Sequence, residues 1–363
     1  VFRKVIISIF LLCGGILITA CSGQPFGNSN SSSSGTITLQ GSGASFPKPI
    51  YEKWANEYSK FNPNVRINYQ STGSGAGQNA IISRTADFGA SDDPMKDEDL
   101  KKADGEILHI PTVLGGVVLT YNLPEIKQPL KLSPDTIAGI YLGKIKKWND
   151  EALRIDNPEL NLPDAYILPV YRSDSSGTTV VFTDFLSKTN AEWKEKVGAN
   201  KQPSWIPGVG TGAPRNDGVM GQVKQTPNSI GYVEITFAEA NRLPMASIKN
   251  KAGIFVEPSL EGISAAAADS LDNTPEDLRV QITNADGESA YPIASYTYIL
   301  VYKEQHDAVK GKALVDFLWW AIHDGERYTR KLHYAPLPPE IIKRVEAKIN
   351  SITHNGKPLR QSS

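Results

Sequence analysis

The chain has 363 residues, 38 of them basic and 39 acidic, and a formal net charge of −1, which excludes a chain-wide basic signature for nucleic-acid binding. Its length exceeds what one compact core usually fills, so two domains or lobes are expected. With 40% apolar and 9% aromatic residues it can fill both cores, and beyond the N-terminus no run is long and apolar enough to span a membrane.

The N-terminal segment stands apart. Arg3 and Lys4 precede an almost wholly apolar run, Val5 to Thr19, closed by Ala20-Cys21. This pattern reads as a secretory signal. A cysteine directly after a small residue resembles a bacterial lipoprotein signal, which implies residues 1–20 as signal peptide, cleavage before Cys21 and lipid on the Cys21 thiol. A plain signal peptide with an incidental cysteine, or an uncleaved anchor helix, are the alternatives. Cys13 lies inside the apolar run, so the mature chain would hold one cysteine and no disulfide. Residues 21–35 are rich in Ser, Asn and Gly, bury little, and read as a flexible tether. The expected location is therefore exported, periplasmic or on the outer face of the cell membrane, anchored through Cys21.

From Thr36 the chain alternates strand and helix patterns. Thr36 to Leu39 reads as a strand, Gly41 to Pro47 as a glycine turn, and Ile50, Trp54, Tyr58 and Phe61 as the apolar stripe of a helix with proline in its first turn. Ser45 and the Phe46 backbone N–H sit at that helix mouth. Val65, Ile67 and Tyr69 alternate as a second strand. Ser71 to Gly77 then opens a helix read over Gln78 to Arg84, with Ser74 at its mouth. The glycine turn is not a G-x-x-x-x-G-K-[ST] loop, and no acidic ribose partner is placed after it. Phe88 to Ala90 reads as a strand running into Ser91-Asp92-Asp93-Pro94, where an ordinary turn aspartate is the plainer reading.

Further on, Gly115 to Tyr121 is a buried strand, and Ser133-Pro134 begins a helix carrying Ile137, Ile140 and Tyr141. Lys144 to Lys147 is the most basic local patch and reads as a solvated face, with contact to a membrane partner as the alternative. Arg172-Ser-Asp-Ser-Ser-Gly-Thr-Thr179 then repeats the device of the first two turns. Hydroxyls and a glycine at a helix start leave N–H groups free for an anion, and Arg172 supplies a planar fork. An N-cap beside a surface Arg–Asp pair is its bland alternative. Pro207 to Gly212 with Asn216-Asp-Gly218 is glycine-rich and could cradle an anion, with a turn at a lobe surface the plainer reading. Val219 to Lys224 reads as helix and Ile230 to Val233 as strand. Ile293 to Tyr302 is a long strand crossing back between lobes, Ala313 to Ile322 a packed helix and Glu340 to Ile349 a final one. The end, from about Thr353, is expected to fray. Alternating strands and helices argue an α/β fold with mostly parallel sheets.

Five stretches carry a resemblance: Gly-Ser-Gly-Ala-Ser-Phe-Pro (41–47), Thr-Gly-Ser-Gly-Ala-Gly (72–77), Asp-Phe-Gly-Ala-Ser-Asp (87–92), Arg-Ser-Asp-Ser-Ser-Gly-Thr (172–178) and Gly-Tyr-Val-Glu (231–234). In order and spacing they resemble the PstS family, the phosphate-binding receptors of bacterial high-affinity phosphate ABC transporters, from about Thr36 to about Pro338. The resemblance implies a two-lobed periplasmic-binding-protein fold of type II, with ligand in the cleft between lobes. Lobe one is placed at 36–112 plus 290–363 and lobe two at 113–289. It implies a phosphate shell of Ser45, Phe46, Ser74, Asp92, Arg172, Ser176, Gly177 and Thr178, with Asp174 orienting Arg172. The partners it implies are inorganic phosphate and a membrane-embedded ABC permease, for a monomer with no nucleic-acid partner. Asp92 would accept the proton that phosphate keeps and sulfate lacks; an unpaired buried polar group costs about 1–3 kcal/mol.

No cofactor, metal or catalysis is expected. None of His109, His306, His323, His333 and His354 lies in the motifs, there is no H-E-x-x-H pair, and no cysteine–histidine spacing suits a metal. An exported phosphatase or esterase, using Ser176 or Ser74, is a rival reading, but its nucleophile lacks a visible base. A receptor for another oxyanion is the nearer rival, and an adhesion or sensing protein on the same fold a third.

Overall fold

The computed structural model describes residues 35–360. The signal-peptide reading, the Cys21 lipidation and all of the tether but Gly35 lie outside the described residues.

The elements alternate as the patterning predicts. The first half holds β1 (Ile37–Gly43), α1 (Lys48–Phe61), β2 (Val65–Ser71), α2 (Ser74–Ile82), β3 (Phe88–Ser91), α3 (Asp97–Leu100) and the long β4 (Ile107–Tyr121). Then come β5 (Lys131–Leu132), α4 (Pro134–Tyr141), α5 (Glu151–Asp156), β6 (Leu168–Arg172), α6 (Gly177–Thr189), α7 (Ala191–Lys196), β7 (Thr211–Ala213), α8 (Arg215–Gln225), β8 (Ser229–Glu234) and α9 (Ile235–Ala240). The last part holds β9 (Ser247–Lys249), β10 (Phe255–Val256), α10 (Leu260–Asp269), β11 (Ala294–Tyr302), α11 (Ala308–Ile322), α12 (Pro339–Asn350) and a small hairpin, β12 (Thr353–His354) with β13 (Lys357–Pro358).

One sheet runs in the order β2-β1-β3-β11-β4-β8-β6-β7. Its two flanks are parallel, β1 with β2 and β3 at one side and β6 with β7 and β8 at the other. The middle is antiparallel and holds the flanks together. Strand β4 is buried along its whole length. It pairs with β11 from Ile107 to Gly116 and then with β8 from Val117 to Tyr121. This change of partner makes two lobes from one strand, the two-lobed periplasmic-binding architecture.

Each flank has its own core. On one side Trp54, Tyr58, Phe88 and Phe317 are buried, with Tyr58 edge-on to Phe317 at 5.3 Å between ring centroids. On the other, Tyr141, Phe182, Trp193 and Tyr232 are buried, with Phe182 stacked on Tyr232 at 4.3 Å. Such pairs add about 0.5–1.5 kcal/mol beyond the area they bury.

Three departures from the sequence expectation have local causes. Helix α2 begins at Ser74 rather than Gln78. Two of the glycines expected to form the turn, Gly75 and Gly77, lie inside the helix, which at Gly77 rests directly on the strands: a Cβ there would stand 2.5 Å from the Ala90 carbonyl and 2.6 Å from Gly43 Cα. Strand β4 begins eight residues before Gly115 and runs through Pro111, which has no N–H to give a ladder. The register shifts there, Thr297 facing Val113 and Tyr298 facing Pro111. The skipped Thr112 donates its hydroxyl to the Thr297 carbonyl at 3.2 Å and pairs with the Tyr51 hydroxyl at 2.8 Å. Finally, the segment expected to fray forms the β12–β13 hairpin, with the Thr353 N–H donating to the Lys303 carbonyl at 2.8 Å.

Candidate functional site

Each predicted residue stands at the carboxyl end of a strand or the first turn of a helix. Ser45 and Phe46 follow β1, Ser74 opens α2, Asp92 follows β3, Arg172 ends β6, and Ser176, Gly177 and Thr178 begin α6. All eight are buried. The three helix mouths meet between the two flanks of the sheet, which is where open α/β sheets bind ligands.

The first mouth is held from below. The Tyr69 hydroxyl donates to the Ala44 carbonyl at 2.5 Å, and the Tyr334 hydroxyl to the Phe46 carbonyl at 2.6 Å. The Phe46 N–H makes no backbone hydrogen bond among the described residues. The Phe46 ring packs against Gly115, where a Cβ would stand 2.6 Å from ring carbons, so this approach requires glycine. At the third mouth Ser176 caps α6 by accepting the Thr179 N–H at 3.1 Å. The N–H groups of Gly177 and Thr178 then lie in the first turn, where a helix offers them no partner.

Arg172 is bound side-on to Asp174, Nε to Oδ1 at 2.7 Å and Nη2 to Oδ2 at 2.6 Å. Its Nη1 reaches Thr178 Oγ1 at 3.3 Å. Burial pushes the Asp174 carboxyl up, but the hydrogen bonds and charge of Arg172 and the Arg215 N–H outweigh it and hold Asp174 below the usual range. Arg172 and Asp174 thus form a two-bond ion pair.

Asp92 is a buried carboxylate beside these donors. Its Oδ1 accepts from Thr297 Oγ1 at 2.8 Å and its Oδ2 lies 3.5 Å from Ser74 Oγ. Burial raises it to about 7, against the Thr297 hydroxyl and the charge of Arg172; the neighbouring Asp93 adds to the rise. Asp92 thus stands ready to change between acceptor and donor near neutral pH. The full positive charge of Arg172 is paired with Asp174, so N–H and O–H dipoles supply much of the attraction for an anion.

Several contributors were not visible in the sequence. Thr297 holds Asp92 from β11. Lys201, from the loop after α7, crosses to the other flank, where its ammonium stands 3.5 Å from Asp93 Oδ2 and donates to Gln78 Oε1. Lys48 of α1 meets Asp217 of α8 at 3.3 Å. Asn216, expected in a surface turn, is buried at the start of α8 and bonds both Ser45 and Thr178. Glu234 of the Gly-Tyr-Val-Glu stretch lies behind Phe46. Its Oε2 accepts the Thr236 N–H at 2.9 Å and its Oε1 has no partner among the described residues. Burial pushes this carboxyl well above its usual range.

Comparisons with known proteins bear on the family and the fold. The model of the PBP superfamily domain matches residues 28–322. The phosphate-binding protein PstS of Pasteurella multocida is 46% identical over 327 residues, covering 89% of this chain and 94% of that protein. The phosphate-binding protein PstS of Methanocaldococcus jannaschii is 39% identical over 366 residues, covering 93% and 92%. Among solved structures, the high-affinity periplasmic phosphate-binding protein PfluDING, bound with phosphate, superposes with a TM-score of 0.71 at 22% identity, covering 86% of this chain and 93% of that one. The phosphate-binding protein of Stenotrophomonas maltophilia does so with 0.68 at 20% identity and the same coverage. These two likenesses speak to fold, and the sequence relatives speak to family. With relatives of this identity along nearly their whole length, the chain belongs to the PstS family of phosphate-binding proteins within the PBP superfamily.

Proposed function

We propose that the chain is an extracytoplasmic receptor that captures inorganic phosphate between its lobes and hands it to an ABC permease. One observation carries the reading. A buried carboxylate, Asp92, stands among hydroxyls, helix-mouth N–H groups and a pinned guanidinium. Hydrogen phosphate needs one acceptor for its proton and donors for its other oxygens, and the residues supply that ratio. The names of the PstS relatives support the same ligand.

In this reading Ser45, Ser74, Ser176 and Thr178 give hydroxyl or N–H donors, Phe46 and Gly177 give N–H groups, Arg172 gives its fork, and Asp174 holds Arg172. Lobe one is residues 36–112 plus 290–363 and lobe two 113–289; the change of partner of β4 near Gly116 supports a crossing close to that boundary. The mature protein is read as a monomer tethered through lipid on Cys21.

We read the site as non-catalytic. The Ser176 hydroxyl accepts the Thr179 N–H, and the buried His109 accepts the Met95 N–H through Nε2 at 3.0 Å, away from both candidate nucleophiles. A phosphate-ester turnover assay checks this, with no turnover above buffer expected.

The binding claim is tested by calorimetric titration of folded, ligand-stripped protein with phosphate. One-to-one binding is the expected result. No binding in such a sample would overturn the reading.

A further inference from the structure

Asn216 is fully buried and uses every hydrogen-bonding group it has. It follows Arg215, whose φ of 58° is a left-handed conformation that a non-glycine residue adopts only when its surroundings impose it. Here the Arg215 N–H is drawn to Asp174 Oδ1 at 2.9 Å and the next N–H, that of Asn216, to Ser45 Oγ at 3.1 Å. The side-chain amide continues the pattern. Nδ2 donates to Ser45 Oγ at 3.0 Å and to Thr178 Oγ1 at 3.2 Å, while Oδ1 accepts the Glu234 N–H at 3.1 Å. Because a backbone N–H can only donate, the Glu234 contact fixes which end of the amide is oxygen, so the NH2 must face the two hydroxyls.

A hydroxyl has one proton and two lone pairs. Both lone pairs of Ser45 Oγ receive N–H groups of Asn216. Both lone pairs of Thr178 Oγ1 are also filled, one by Asn216 Nδ2 and one by Arg172 Nη1. Neither oxygen has room to accept again, so each hydroxyl proton must point elsewhere and donate. Ser45 follows β1 and Asn216 begins the helix after β7, on opposite sides of the central β11–β4 pair. The contact with Ser45 therefore exists only when the lobes are together.

We propose that Asn216 is a positioning residue that makes Ser45 and Thr178 obligate donors toward the bound oxyanion, and does so on closure. The inference rests on the phosphate-receptor reading. It leaves Asp92 as the acceptor in the shell, so the proton of hydrogen phosphate has one place to go. An unconstrained Ser45 or Thr178 hydroxyl could turn and accept, which would blur that register.

The test compares phosphate affinity, by calorimetry, of the wild type, Asn216→Ala and Asn216→Asp, each in the native background and in a Ser45→Ala/Thr178→Val background. Aspartate is nearly isosteric and keeps the oxygen that meets Glu234, but would accept the two hydroxyl protons and reverse them. In the native background the expected loss is roughly 10-fold for Asn216→Ala and roughly 100-fold or more for Asn216→Asp. A purely structural role predicts the opposite order, with aspartate the milder change. Charge repulsion alone would give the expected order but would persist in the Ser45→Ala/Thr178→Val background, where the proposal predicts that most of both losses disappears. Equal losses in the two backgrounds, or aspartate milder than alanine, would overturn it. If Asn216→Asp does not fold, as judged by circular dichroism, the alanine variant in the two backgrounds still decides. Failure of the wild type to bind phosphate would instead remove the receptor reading itself.

Discussion

Arg172 and Asp174 are locked side to side, two residues apart, by two hydrogen bonds of 2.7 and 2.6 Å that leave Nη1 directed toward Thr178 and the cleft. The arginine side chain is 1% exposed and the aspartate 20%. Removing one partner of such a pair strands the other charge, which costs about 3–5 kcal/mol. Asp174→Asn is therefore expected to destabilise the ligand-free protein, and to weaken phosphate binding in so far as the guanidinium loses the orientation that the two bonds give it. Arg172→Lys keeps the charge but loses the planar fork, and should do at least as much harm. Calorimetric titration of both variants checks this; a lysine variant of native affinity would show that charge alone suffices.

Two glycines separate closure from stability. A Cβ on Gly177 would fall on Ser74 Oγ and stand 2.8 Å from Asp92 Cβ, both on the far side of the cleft. Gly177→Ala should therefore leave the melting temperature of the ligand-free protein nearly unchanged while lowering phosphate affinity by roughly 100-fold through incomplete closure. A Cβ on Gly77 would instead meet the Ala90 carbonyl and Gly43 Cα within one lobe. Gly77→Ala should destabilise the ligand-free protein by about 1–3 kcal/mol. Denaturant melts with and without phosphate tell these outcomes apart.

Glu234 makes stability depend on pH. Its carboxyl is held protonated well above the usual glutamate range, chiefly by burial, while the unfolded chain releases the proton near the ordinary value. Between those limits the folded state binds more protons, so this contribution is full below the ordinary value and is lost as pH rises toward the folded one. Glu234→Gln removes the dependence. It should be more stable than the wild type near pH 7, with the difference shrinking toward pH 4. Urea melts across that range check it, and a difference independent of pH would show that Glu234 is ionised in the fold.

Asp92, raised to about 7, makes selectivity depend on pH. As pH falls through about 7 the carboxyl gains a proton and turns from acceptor to donor. Sulfate, which brings no proton, should then compete better below pH 7 than above it. Competition titrations at pH 6 and pH 8 measure this, and equal sulfate competition at both would contradict the assigned role.

Much of this was legible because the donors are local. A glycine or hydroxyl run between a strand pattern and a helix pattern marks a helix mouth wherever the chain goes, so Ser45, Ser74 and Ser176 to Thr178 declare themselves. Thr297 does not: a β-branched residue in an apolar strand has the same local pattern whether or not its hydroxyl meets a carboxylate. Asn216-Asp-Gly carries turn chemistry, and only the topology turns it into a buried helix start. The glycines of α2 are poor helix formers, yet Gly77 is required by the contact with β1 and β3, and Gly75 by its closeness to Ser175. Strand β4 hides its first half behind Pro111, because the bulge that accommodates it depends on β11, far along the chain.

The central claim is that Asp92 is the acceptor that distinguishes phosphate from sulfate. Calorimetric titration with phosphate in the presence of excess sulfate, at pH 8, for the wild type and Asp92→Asn tests it most directly. The account predicts that the wild type ignores sulfate, and that the variant loses phosphate affinity and admits sulfate, since an amide can donate to an oxygen that carries no proton. Equal binding of sulfate by the wild type, or undiminished phosphate selectivity in Asp92→Asn, would contradict it.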